Sequence, residues 1–132
     1  MAQPVRRILA FAAAVEAGTG VVLMIDPAIV ARLLLGVDAS GAGIPLGRCF
    51  GIGLLALGWA CWPSGQPAAS GLPAFRGMLI YNVLIASYLA HLGAVRHLGG
   101  SMLWPAVALH AVVALLLLWT WRNGQRTMPA QT

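Results

Sequence analysis

Four apolar stretches, at about residues 5–25, 44–62, 74–93 and 102–121, are each long enough to cross a bilayer and are separated by short segments rich in Gly, Pro and polar residues. A hydrocarbon core about 30 Å thick, crossed at about 1.5 Å per residue, needs roughly 20 residues. Inside lipid every backbone N–H and C=O must find its partner within the protein, so each stretch reads as a helix. The chain therefore predicts an all-α fold, a four-transmembrane-helix bundle forming one integral-membrane domain over residues 1–132. Composition points the same way: 60% hydrophobic and 8% charged residues leave too little polar surface to coat a soluble globule. Membrane lipid is the first partner this implies.

The connections carry their own signals. The first span ends at Asp26-Pro27, a side chain suited to an N-cap followed by proline at a first helical position, and Gly36 closes the short run Pro27 to Leu35. Nine residues are too few to cross, so 27–35 is expected as an interfacial helix with Arg32 as its one charge. Residues 38–43, 63–73 and 96–100 are expected as loops, and the polar tail Asn123 to Thr132 as a frayed end. Arg6 and Arg7 before an apolar run have the look of a secretory signal, but Glu16 interrupts that run and no small-residue cleavage pattern closes it. The segment is read as a retained span.

The net charge of +5 comes from eight arginines against three acids, with no lysine. These arginines lie mostly at the ends of apolar runs, where they anchor to headgroups, so nucleic acid is not an expected partner. Four spans put both termini on one side, together with Arg6, Arg7, Arg76, Arg122 and Arg126, whereas Arg32, Arg48 and Arg96 fall on the other with Asp26 and Asp38. That bias predicts termini in the cytoplasm, in a membrane of the bacterial inner type. Trp59, Trp62, Trp119 and Trp121 would form the belt on that side, with Trp104 at the opposite interface. Cys49 and Cys61, twelve residues apart on one helix, stand about 18 Å from each other and cannot form a disulfide.

Helices in lipid associate through small residues and polar contacts. Gly47, Gly51 and Gly58 make one such stripe; Ala10, Ala14 and Gly18 make another, and Glu16 shares its face with Ala12, Ala13, Thr19 and Gly20. On the third span Tyr81, Leu84, Tyr88 and His91 fall at the spacing of a packed seam.

An ionisable group at bilayer depth costs about 2.5 kcal/mol or more unless it is paired or faces the bundle interior, which makes such residues the site candidates. Glu16, Asn82 and His110 each lie about 12–15 Å from an end of their spans, so three helices offer polar groups at one level. Glu16 and His110, a carboxylate and an imidazole, are the candidate acid/base pair. Arg48, Trp59, Tyr81, Asn82, Tyr88 and His91 are the candidate ligand-binding residues, and an Arg48–Glu16 ion pair is sterically open. Two functions fit this set. One is a buried pocket for a lipophilic small molecule, with or without proton transfer; the other is an accessory subunit of a larger membrane complex whose polar core only fixes helix register. Transport of a small solute along the same groups is a third. Whether the chain is an enzyme is left open by these residues. No metal or cofactor is expected: there is no H-E-x-x-H or Cys-pair spacing, and His91 and His110 are offset by about 8 Å in depth. Homo-oligomerisation is expected from the small surface that four short helices bury.

The run D-P-A-I-V-A-R-L-L-L-G after the first span, followed by G-R-C-F-G-I-G-L-L-A-L-G in the second, resembles the small four-helix DoxX-like membrane proteins. The resemblance covers the first half of the chain by motif and the rest by hydropathy. It implies a compact four-helix bundle and, for some relatives, association with quinone or sulfur redox systems. It transfers no catalytic residue to a position here, and the absence of a cysteine pair argues against thiol redox chemistry.

Overall fold

The structure is a computed structural model that describes residues 3–63 and 71–126. It is all-α: α1 (Gln3–Ile25), α2 (Pro27–Leu35), α3 (Gly43–Cys61), α4 (Gly71–Ala94) and α5 (Leu103–Arg126). The four longer helices have the length and apolar composition of membrane spans. Each helix carries a proline in its first turn, at Pro4, Pro27, Pro45, Pro73 and Pro105, where the missing N–H has no intrahelical acceptor to lose. Pro73, expected in a loop, thus sits inside α4. α5 runs past Trp121 to Arg126, because nothing in Arg122 to Arg126 breaks the backbone ladder where the apolar run stops. Part of the expected 63–73 loop and the tail beyond 126 lie outside the described residues.

The short helix follows its sequence signals. Asp26 accepts hydrogen bonds from the N–H groups of Ala28 (3.0 Å) and Ile29 (3.2 Å), and Gly36 closes the helix in the left-handed region at φ 70°. Arg32 pairs with Asp38 at 2.8 Å on the exposed side. The end of α2 is also held from afar. The N–H groups of Gly99, Gly100 and Met102 donate to the carbonyls of Leu35 (3.2 Å), Leu34 (3.0 Å) and Leu33 (2.9 Å). The α4–α5 turn therefore satisfies the carbonyls that a helix end leaves unpaired.

α1 packs most extensively on α3, and α4 on α5, with smaller contacts between the two pairs. The α1–α3 seam is built of small residues. A Cβ on Gly20 would stand 2.7 Å from the Gly51 carbonyl oxygen, one on Gly51 2.7 Å from that of Gly20, and one on Gly58 2.7 Å from that of Ala13. Only glycine lets the backbones approach this closely. The expected Ala10, Ala14 and Gly18 stripe is not a contact within the chain: Ala14 and Gly18 are exposed, and Gly18 has open space where a side chain would go. Leu9, Ala13, Phe75, Met78, Val113 and Leu117 form the apolar core where the pairs meet. The aromatic side chains mostly face outward, except that Trp121 packs on Phe75 (5.2 Å between rings) with Arg76 over its face.

Candidate functional site

Among the described residues three polar side chains are buried in the bundle: Glu16 of α1, Asn82 of α4 and His110 of α5, at 2%, 1% and 8% exposure. They meet because α1 and α5 run antiparallel, so that the middle of one helix stands at the level of the middle of the other. The Asn82 amide nitrogen donates to the Met78 carbonyl one turn earlier at 2.8 Å. That bond fixes the amide and leaves Oδ1 facing His110, whose Nδ1 lies 2.9 Å away. Since Oδ1 only accepts, Nδ1 carries the proton and donates. The same nitrogen lies 3.7 Å from Glu16 Oε1, an electrostatic contact rather than a hydrogen bond. Tyr81 completes the group: its hydroxyl is turned toward the Glu16 carboxylate, and its ring meets His110 edge to face at 5.8 Å. Tyr81 and Asn82 are adjacent and about 100° apart around α4, so one serves α1 and the other α5.

The geometry brings together Glu16, Tyr81, Asn82 and His110 from three helices and separates the other candidates from them. Arg48 is exposed, and the ion pairs of the described residues are Arg32–Asp38 and His110–Glu16, so the sterically open Arg48–Glu16 pair is not formed. The cause is depth: Gly20 meets Gly51 and Leu55, and Ala13 meets Gly58, which puts Glu16 level with Leu55 to Gly58, about 10–15 Å along α3 from Arg48. Trp59 is 86% exposed. Tyr88 and His91 also point outward, as does Leu84, so the expected α4 seam holds only at Tyr81. The inward face of α4 is Phe75, Met78, Asn82 and Leu89. Sequence reading missed the Met78 carbonyl as the group that orients Asn82; the signal was an asparagine four residues after it in a span otherwise apolar on that face.

Among the described residues no buried side-chain nitrogen or oxygen lacks a partner, and no group of three or more His, Cys, Asp or Glu stands where it would hold a metal ion. Chemically the cluster is a buried set of donors and acceptors joining α1, α4 and α5. No family model, curated protein or solved structure matches the chain, so the structure supports a four-helix membrane-spanning bundle and not the DoxX-like assignment.

Proposed function

We propose that this small integral membrane protein is a non-catalytic, accessory component of a larger membrane assembly, in which the Glu16–Tyr81–Asn82–His110 cluster latches the α1–α3 pair to the α4–α5 pair. The observation that carries this reading is the way Asn82 is held by the Met78 carbonyl of its own helix and meets His110 of α5, while the same His110 nitrogen faces the Glu16 carboxylate of α1 at 3.7 Å. An acid/base site for a lipophilic molecule, the other reading of Glu16 and His110, needs an open position beside both groups. Glu16 at 2% and His110 at 8% exposure leave little such space, which favours the latch. Docking onto a partner is supported by Ala14 and Gly18 on α1 and Gly53 on α3, small residues that face outward and that the internal packing does not use. Small residues on a lipid-facing side let another helix come close. In this reading both chain ends lie on the cytoplasmic side of a bacterial inner membrane, as the arginine distribution indicates.

The test is extraction in a mild detergent followed by mass spectrometry of bound proteins and small molecules. A protein partner, or a second copy, recovered near one-to-one from wild type and lost from the Ala14→Leu/Gly18→Leu variant supports the proposal. A lipophilic small molecule bound one-to-one, and lost from a Glu16→Gln variant that melts at the wild-type temperature, overturns it.

A further inference from the structure

Between the two helix pairs, on the outside of the bundle, α1 and α5 leave a groove of about 490 Å³ walled by Ile8, Phe11, Ala108, Val112 and Leu116, with Arg7 as its only charged lining residue. We infer that this groove is a binding site for an anionic phospholipid of the leaflet on the side of the chain ends, an acyl chain lying along the wall and the phosphate on the Arg7 guanidinium.

Length supports this occupant. From Leu116 back to Ala108 the groove follows eight residues of α5, about 12 Å, close to the roughly 15 Å of hydrocarbon in one leaflet. It starts at Arg7, near the end of α1, and reaches Ala108, two residues and about 3 Å past His110 and so just beyond the level of the polar cluster. A groove that begins at the headgroup boundary and ends near mid-depth matches one leaflet's acyl chain. Charge supplies the selectivity. Guanidinium presents a planar fork of donors that fits phosphate oxygens, and it stands where the groove meets the headgroups. A zwitterionic lipid offers the same phosphate but brings its own cation beside it.

The experiment is native mass spectrometry of delipidated protein titrated with phosphatidylglycerol or phosphatidylcholine of equal chain length. Wild type is expected to retain phosphatidylglycerol about fivefold better, the effect of one basic residue near an anionic surface. Arg7→Gln should abolish that preference, and Arg7→Lys should keep part of it. Ala108→Phe, which fills the groove, should weaken both lipids. Arg96→Gln, at the other end of the bundle, should change neither. Circular dichroism and melting temperature confirm that each variant is folded. Absence of a preference in wild type, an Arg7→Gln variant that behaves as wild type, an Ala108→Phe variant that binds normally, or an equal loss from Arg96→Gln would each overturn the inference.

Discussion

His110 donates from Nδ1 to Asn82 Oδ1 at 2.9 Å across the α4–α5 interface, and the orientation that makes this possible is set by a third group, the Met78 carbonyl. Replacing Asn82 with Leu leaves a buried imidazole N–H without an acceptor. The expected loss is about 1–2 kcal/mol in reversible unfolding from mixed micelles. The double variant Asn82→Leu/His110→Leu should lose less than the two single changes added together, since it leaves neither partner behind.

Glu16 offers a second cycle, with Tyr81. Glu16→Gln keeps an oxygen for the Tyr81 hydroxyl and should lose less than half of what Glu16→Leu loses. Glu16→Leu strands that hydroxyl, with an expected cost of about 1–2 kcal/mol. Because Arg48 lies outside the bundle, neither change leaves an arginine without its counter-charge. The same micelle unfolding assay, with Tyr81→Phe as the partner mutation, separates these outcomes; equal losses for Gln and Leu would mean that the carboxylate acts through charge rather than as an acceptor.

The glycines of α1 and α3 should divide into two groups. Gly51→Ala and Gly58→Ala push a methyl group against backbone of α1 and should cost about 1–3 kcal/mol, whereas Gly18→Ala and Gly53→Ala enter open space and should lie within about 0.5 kcal/mol of wild type. Melting temperatures of the four variants, measured side by side in one detergent, test the seam directly.

A side chain on Gly100 would overlap the Leu33 carbonyl that its neighbour Met102 uses as acceptor. Gly100→Ala is therefore expected to undo the pairing of the 99–102 turn with the end of α2. Hydrogen exchange should show faster exchange of the Gly99, residue-100 and Met102 amides, with the middle of α5 unaffected. Unchanged protection at those amides would show that the turn accommodates the methyl group by moving.

The spans, the Asp26 cap and the Gly36 stop were legible because each rests on local chemistry: hydropathy over twenty residues, a side chain reaching N–H groups two and three positions on, a glycine free to take positive φ. The common depth of Glu16, Asn82 and His110 was legible for a similar reason, since helical rise converts residue counts into height. Facing was harder. In lipid the outer side of a helix is as apolar as its inner side, so periodicity drew Tyr88 and His91 into a seam they do not join and made the Ala14–Gly18 stripe look like an internal contact. The Arg48–Glu16 pairing failed because height within a neighbouring helix depends on which glycine meets which, something that only the packed structure fixes. The backbone pairing of residues 99–102 with α2 left no trace in side-chain pattern at all.

That pairing ties the first helix pair to the second through main chain at one end of the molecule, and the polar cluster ties them again halfway. The apolar core of Leu9, Phe75 and Leu117 closes the opposite end, so the two pairs are fastened at three heights by three kinds of chemistry: main-chain hydrogen bonds, polar side chains and close packing.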